Sequence, residues 1–413
     1  MAWPVYKHFV PSGTAEQPSA ARTNTLAAAH RQVCNVYSTA EELSCARTNA
    51  PAAAHREVCN VYSTAEELSC TRTNTLAAAH RQVCNVYRPP IKIQTRPARG
   101  RMFAMAVVVC VLMAAVMASW VPLQVSIVTL FLFAGPHNWF ELRYFLMRLP
   151  ARFGKSRNFF VTAFAGLGVL TISYVSLPFL YEHVNWSGES WLIVLASWNT
   201  LFLLWLAALI YLRNKQRRTA DWTWTMPVVL ALAALNWLRP EFFSLALVYI
   251  HPLVALWFLD RQLKRARPDW VSTYRRCLCL LPVIIVAMIW RLSQTTSLAD
   301  DNGLFWRITQ HAGAQLLPQL SSHMLVSLHL FLEMLHYGVW ILALPLIVPH
   351  FWKVKNVRRG LPRLTPALLT LGAVIVVILW VGFQRDYTQT RDLYFTLAIA
   401  HVLAEAPFLL KLL

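Results

Sequence analysis

The chain has 413 residues, of which 57% are hydrophobic and 14% are charged, and its formal net charge is +19. Soluble domains carry about 25% charged residues, so this composition excludes a disordered chain and argues against a water-soluble protein. Abundant apolar residues with concentrated positive charge are typical of a polytopic membrane protein whose Lys and Arg residues lie in the loops of one side. The charge therefore predicts membrane topology, and it gives no reason to expect nucleic-acid binding.

Residues 1–101 contain a tandem repeat with a period of 25 residues, which covers residues 21–87. Ala21–Cys45 recurs almost unchanged as Ala46–Cys70, and a truncated third copy follows. Each unit has few large apolar residues, which predicts a low-complexity, mostly disordered cytoplasmic tail rather than a stacked solenoid. The His-x3-Cys pair of each unit lacks the short ligand pairs of zinc sites. Since Met102 begins the first apolar run, an initiation codon assigned too far upstream would produce the same pattern.

Residues 102–413 are predicted to form an all-α bundle of about ten transmembrane helices. A helix needs about 20 mainly apolar residues to cross a bilayer, and segments of about this kind recur to the end of the chain. They are 103–120, 124–148, 159–181, 191–212, 222–238, 242–259, 277–291, 322–348, 365–383 and 392–413. Proline marks two junctions, at Val121-Pro122 and at Arg239-Pro240. The amphipathic stretch 304–320 is too polar to span, and we expect it to lie in the interface or to re-enter.

Basic clusters alternate with loops that are poor in Lys and Arg. Residues 148–157 and 213–218 are rich in basic residues, whereas the loop at 181–190 has none and the loop at 293–303 is acidic. Because basic loops face the cytoplasm, this alternation predicts that both termini are cytoplasmic. We expect an integral membrane protein of a bacterial-type inner membrane, with the lipid bilayer as its principal partner.

Ionisable residues inside the predicted spans form a repeated pattern. A His is followed by a Glu four residues later in three of these spans, which places the two side chains on one helix face. The three pairs are His137/Glu141, His329/Glu333 and His401/Glu405. His336 lies seven residues after His329 and shares its face, and His251 stands alone in the sixth span. Ionisable groups at membrane depth are costly and usually face a bundle interior or a cavity.

Four of these imidazoles also share a depth. The second, sixth, eighth and tenth predicted spans run in the same direction. Each carries a His roughly nine to fourteen residues from its start, which corresponds to the middle layer at a rise of about 1.5 Å per residue. These residues are His137, His251, His336 and His401. The matched depth predicts that four helices present imidazoles to one level of the bundle.

We therefore predict an intramembrane metal centre. Imidazole and carboxylate are the N/O ligands of Fe, Mn, Cu and Zn, and helix bundles build such sites from inward-facing side chains. The predicted metal ligands are His137, His251, His329, His336 and His401. The carboxylates predicted to be ligands or catalytic bases are Glu141, Glu333 and Glu405. Asn138, Asn199 and Asn236 are candidates for hydrogen bonding to the imidazoles, whereas His183, His311, His323 and His350 fall in loops or near span ends.

A transition metal in this position predicts a metal-dependent oxidoreductase that acts on an apolar or lipid-like small molecule. The same residues also fit a proton- or ion-coupled transporter. A third interpretation is a non-catalytic membrane scaffold, in which each His/Glu pair is hydrogen-bonded locally and only specifies helix packing. A haem, which needs one or two His ligands, is a weaker alternative to a bare ion. Convergence of the four imidazoles depends on the order of the helices around the bundle, which hydropathy does not supply.

Overall fold

The computed structural model describes residues 97–149, 154–184, 188–216, 222–299, 303–348, 351 and 364–412. These residues belong to one compact unit, Gln94–Leu413, and form helices without any strand among them. The repeat tail predicted for residues 1–101 lies outside the described residues up to position 96. Its last five residues begin the first helix.

Thirteen α-helices follow one another in the described part of the chain. They are α1 (Pro97–Trp120), α2 (Pro122–Arg148), α3 (Arg157–Val184), α4 (Gly188–Gln216), α5 (Thr225–Leu238), α6 (Pro240–Ala266), α7 (Pro268–Leu278), α8 (Leu280–Leu292), α9 (Leu304–His311), α10 (Ser322–Tyr337), α11 (Leu344–Ile347), α12 (Leu364–Arg385) and α13 (Tyr387–Leu412). A π-helical turn, Gly338–Ala343, joins α10 to α11. The 3-10 turn Gly154–Ser156 precedes α3.

Proline determines where three of these helices begin. Pro122, Pro240 and Pro268 each occupy the first turn of a helix. Their missing N–H group costs nothing at this position, because the first amides of a helix have no intrahelical acceptor. The two proline junctions expected from the sequence, Val121-Pro122 and Arg239-Pro240, are therefore helix boundaries in the structure.

Seven helical segments are long and apolar enough to cross a membrane, so the chain is a multi-pass, membrane-like helical protein. They are Gly100–Trp120, Arg157–Leu180, Gly188–Gln216, Pro240–Ala266, Ser322–Ile347, Leu364–Arg385 and Tyr387–Lys411. The predicted count of ten is not confirmed. Two of the other apolar segments form helices of only 14 and 13 residues, α5 and α8, which is shorter than the roughly 20 residues that span a bilayer. The third, α2, has 27 residues, but its second half carries Glu141, Arg143 and Arg148.

Four helices form a closed ring within the bundle. Helix α10 packs against both α2 and α6, and α13 packs against the same two helices. The segment Ser322–Ile347, which contains α10, is the most buried of the seven candidate spans. The ring consists of the four helices that carry the imidazoles of matched depth, so the tertiary structure makes these residues neighbours.

An aromatic layer fills the ring one helical turn beyond these polar residues. Phe145 of α2 and Phe408 of α13 stack with their ring centroids 4.1 Å apart. Trp340, from the π-helical turn, lies 5.7 Å from Phe145 and 5.4 Å from Phe258 between ring centroids. Trp340 and Phe258 are fully buried. This layer separates the polar centre of the bundle from the end at which α2 and α13 terminate.

The contact between α3 and α4 yields a prediction about packing. The indole nitrogen of Trp205 donates a hydrogen bond to the Thr162 carbonyl (2.9 Å), and a β-carbon added at Gly166 would overlap that nitrogen. A β-carbon added at Gly168, one half-turn later, would meet nothing within 4 Å. We expect Gly166→Ala to lower stability by about 1–3 kcal/mol through overpacking. We expect Gly168→Ala to raise it by up to about 1 kcal/mol through helix propensity. Thermal unfolding of both variants in detergent, followed by circular dichroism, measures the difference, and equal effects would contradict this account.

Candidate metal centre

Four imidazoles from the four ring helices meet in the middle of the bundle. The His251 ring centroid lies 4.6 Å from that of His336 and 5.0 Å from that of His401. The His137 ring centroid lies 5.3 Å from that of His336 and 5.2 Å from that of His401. Hydropathy does not give the order of the helices around the bundle. In the structure, that order brings together all four histidines of matched depth.

The first group of potential ligands consists of His137, Glu141, His336 and His401. One ligand atom from each residue lies within 4.8 Å of the others. His137 and Glu141 are each only 1% exposed and His336 is 2% exposed. His137 and Glu141 are one turn apart on α2, and this spacing presents both side chains to the same point. Three imidazoles and one carboxylate form a donor set suited to Fe, Mn, Cu or Zn.

The second group consists of His251, His336 and Glu405, whose ligand atoms also lie within 4.8 Å of one another. The Nδ1 atom of His251 lies 3.1 Å from Oε2 of Glu405, but the two atoms do not meet hydrogen-bond geometry. The Nε2 atom of His251 lies 3.2 Å from Nε2 of His401. Glu405 therefore faces His251 of the neighbouring helix α6. His401 and Glu405, which the sequence places on one helix face, therefore belong to different ligand groups.

Two contacts orient the potential ligands. The Nδ1 atom of His137 lies 2.9 Å from the Phe133 carbonyl oxygen. A hydrogen bond there leaves Nε2 directed into the first group, which is the usual way in which a backbone carbonyl selects the tautomer of a metal-binding histidine. The indole N–H of Trp340 donates to Oε1 of Glu405 (3.3 Å). π-Helical turns are rare overall, and those that occur are often found at functional sites. The position of Trp340 in such a turn therefore also favours a functional site here.

Several polar atoms of the centre have no hydrogen-bond partner. Both carboxylate oxygens of Glu141 and both ring nitrogens of His336 are buried without one. The Pro252 carbonyl lies near His336, but no bond of ordinary geometry joins them. An unsatisfied buried polar group costs about 1–3 kcal/mol, and more if it is charged. Locally paired residues of a scaffold would avoid this cost, whereas a bound cation would offset it. The residues present therefore fit a metal ion.

His329 and Glu333 lie outside both groups. Their side chains approach to 3.8 Å (Nδ1 to Oε2), one to two turns before His336 on α10. The His329 ring lies 5.1 Å from that of His311 and 5.8 Å from that of Tyr249 between centroids. The rise along α10 places His329 and Glu333 toward α9, and their part in one centre with the other residues stays a prediction.

His311 is a functional candidate that the sequence analysis left out, because it lies at the end of the short helix α9. Its ring stacks on Phe395 with the centroids 4.1 Å apart. Burial, together with the nearby His329 and Arg391, lowers the pKa of the His311 imidazole well below its usual range. His311, His329 and Glu333 thus form a second polar cluster, distinct from the two ligand groups. No residue spacing in the sequence predicts this contact between His311 of α9 and His329 of α10.

The asparagines considered as partners of the imidazoles have other roles in the structure. Asn199 of α4 donates to Asn236 of α5 (2.8 Å) and to the Pro240 carbonyl (3.2 Å). Asn236 donates to the Ala196 carbonyl (2.8 Å). This network fastens the short helix α5 to its neighbours. Asn138 is the only one of the three that lies beside the centre, since it adjoins His137 on α2.

Sequence reasoning missed two aromatic residues of the centre. Trp340 positions Glu405, although its chemistry alone indicates only packing or interface anchoring. Tyr337 packs its ring 4.5 Å from that of His137 between centroids, and it is 5% exposed. Tyr337 directly follows His336, so proximity to a candidate ligand was the only available signal.

The unpartnered carboxylate yields a prediction about stability. Glu141 has no hydrogen-bond partner, whereas Arg143, one half-turn later on α2, donates twice to the Phe351 carbonyl (3.2 and 2.9 Å). In chelator-treated protein we expect Glu141→Met to leave the melting temperature unchanged or to raise it, because an unpaired polar group is removed. We expect Arg143→Met to lower stability by about 1–3 kcal/mol, because a satisfied contact is lost. Thermal melting in detergent compares the two variants, and an equal loss in both would show that Glu141 has a stabilising partner.

No family model, no curated protein and no solved structure matches this chain. The geometry of the described residues is therefore the basis for any statement about function. These residues form a multi-pass, membrane-like helical protein with a buried His/Glu group that could hold a metal ion.

Proposed function

We propose that the protein holds a transition metal inside the membrane and acts on an apolar or lipid-like substrate as a metal-dependent oxidoreductase. The metal ligands are His137, Glu141, His336 and His401. The observation that carries the proposal is the approach of four donor atoms, from three helices, to within 4.8 Å of one another at a buried position. In this proposal the metal is Fe, Mn, Cu or Zn, which are the ions that mixed imidazole and carboxylate ligands favour.

The packing of the imidazoles favours a bare ion over a haem. Five of the six pairs among the four rings have centroids between 4.6 and 6.2 Å apart, so each imidazole has at least two others as neighbours. A porphyrin would have to separate them. The proposal therefore assigns the His residues to direct coordination of an ion.

The surroundings of the centre support an apolar substrate. The helices around it expose large hydrophobic side chains, such as Val128 and Leu132 on α2 and Leu397 on α13. A molecule that reaches the centre between such helices comes from the hydrocarbon region and not from water. The aromatic layer of Phe145, Phe408 and Trp340 closes the other end of the centre.

The chain's own residues have separate roles in the proposed chemistry. When bound, the metal supplies Lewis acidity or electron transfer in a site from which bulk water is excluded. His137, held by its hydrogen bond to Phe133, keeps a fixed tautomer and orientation. Glu141 has two buried oxygens without partners, so one can bind the metal while the other receives or returns a substrate proton.

Metal analysis tests the proposal directly. The full-length protein is purified in detergent through an affinity tag that contains no histidine, and its Fe, Mn, Cu and Zn are measured by elemental analysis. We expect at least one equivalent of metal in the parent and clearly less in His401→Leu. The control is His329→Leu, the same substitution at a buried His of the same bundle that lies outside both ligand groups. It is expected to retain the metal.

Folding is checked by elution as a single species and by the melting curve, so that metal loss is compared only among folded proteins. A parent without metal, before and after reconstitution with each ion, would contradict the proposal. Equal metal content in His401→Leu and the parent would contradict the ligand assignment.

The oxidative part of the proposal has its own readout. The protein is reconstituted in liposomes made from the lipid extract of its expression host and incubated with ¹⁸O₂ and a reductant. We expect ¹⁸O in an apolar product of the parent and none with His401→Leu. Full metal occupancy without any ¹⁸O in the product would contradict the oxygen-dependent reaction but not the metal centre.

A second candidate function, proton- or ion-coupled transport, is favoured by one observation. The polar cluster of His311, His329 and Glu333 continues from the centre along α10 toward Arg391, whose guanidinium contacts Asp392. A file of ionisable groups between a bundle centre and one of its ends is typical of proton or ion pathways.

Flux measurements distinguish this candidate. Proteoliposomes that contain a pH-sensitive dye are given a proton gradient. If the protein transports protons, we expect the interior of the proteoliposomes to acidify at least tenfold more slowly with Glu333→Gln than with the parent, because the amide cannot carry the proton. The control is Glu189→Gln, at the exposed start of α4. Absence of flux in the parent, for protons and for added monovalent and divalent cations, would eliminate the candidate.

A further inference from the structure

The two ligand groups of the centre overlap in a single residue, His336. The first group adds His137, Glu141 and His401, and the second adds His251 and Glu405. We infer that the centre holds two metal ions, with His336 between them. This inference rests on the proposed function, since it concerns the number of ions and the residues that hold each one.

The ring of His336 is buried without a hydrogen bond at either nitrogen. A histidine that binds one metal normally donates its other ring N–H to a carbonyl, a carboxylate or water. Neither nitrogen of His336 makes such a bond, although the ring is almost completely buried. The ring lies 5.3 Å from that of His137 and 4.6 Å from that of His251, between centroids. Neither nitrogen is thus occupied by a hydrogen bond, and potential ligands of both groups lie close to the ring.

The contacts of Glu405 also indicate a second ion. Glu405 follows His401 by one helical turn, yet it is not part of the first group. Trp340 holds Oε1 through its indole N–H (3.3 Å), and Oε2 lies 3.1 Å from Nδ1 of His251 without hydrogen-bond alignment. A carboxylate positioned in this way serves a second ion beside His251. A single ion in the first group would leave Glu405 and His251 without a metal to bind.

The proton balance of this arrangement is simple. When each nitrogen of His336 binds one ion, the ring no longer carries a proton. Binding of the second divalent ion therefore releases one proton to the solvent, as expected for ligands that must be deprotonated. Two ions in one centre can each hold one reacting atom of a substrate.

The test uses the same substitution, His to Leu, at four positions of the full-length protein. Zn²⁺ is added to metal-free protein in the presence of a competing chelator, and bound zinc is counted by elemental analysis. We expect about two equivalents in the parent and in the control His329→Leu, and about one in His137→Leu and in His251→Leu. We expect none in His336→Leu, because the shared residue is lost. Any binding by the His-x3-Cys repeats of the tail is measured separately in a triple variant with Leu at positions 137, 251 and 336, and it is subtracted from all samples.

Each outcome has one interpretation among variants that elute as folded, single species. The pattern two, one, one and none, with one proton released on binding of the second zinc, supports a two-metal centre. One equivalent in the parent that is lost in His137→Leu but retained in His251→Leu overturns the inference and leaves the proposed single metal in place. No zinc in the parent overturns the inference, and the proposed function is overturned as well if Fe, Mn and Cu also fail to bind. If His336→Leu does not fold, His336→Gln replaces it, and retention of either ion in that variant counts against a shared ligand.

Discussion

The exclusion of water from the middle of a membrane bundle is the constraint on which this structure depends. A buried polar group there must find its partner within the protein. Most of them do: Asn199 and Asn236 pair with each other and with backbone carbonyls, and Arg143 donates to the Phe351 carbonyl. The His/Glu centre is the main exception among the described residues, because both carboxylate oxygens of Glu141 and both ring nitrogens of His336 are buried without hydrogen-bond partners. A cation is the partner that satisfies imidazole nitrogens and carboxylate oxygens together.

The rest of the architecture supports this exception. The ring of α2, α6, α10 and α13 brings the imidazoles to one level, and each helix contributes one of them. The π-helical turn after α10 places Trp340 beside Glu405 and also in the aromatic layer with Phe145 and Phe408. One local irregularity of the backbone therefore serves both the orientation of a carboxylate and the packing below the centre.

Part of the candidate site follows from helical periodicity. His137 and Glu141 share a face of α2 because they are four residues apart, and the matched depth of the four imidazoles follows from a constant rise per residue. The same reasoning does not distinguish His329 and Glu333, which share a face with His336 but lie toward α9. Nor does it show that Glu405 lies beside His251, which belongs to another helix. Pairs within one helix are visible in a sequence, whereas contacts between helices depend on the rotation and order of those helices.

By itself, the sequence determined the helical character of the chain, the proline boundaries at Pro122 and Pro240, and the residues with ligand chemistry at membrane depth. These depend on hydropathy, on the missing amide of proline and on the period of the α-helix, all of which are local properties. Only the tertiary structure decided that four helices close into a ring, that α5 and α8 are too short to span, and that His336 belongs to two ligand groups. These outcomes arise from packing between segments that are distant along the chain, and side-chain volume and helix rotation control such packing.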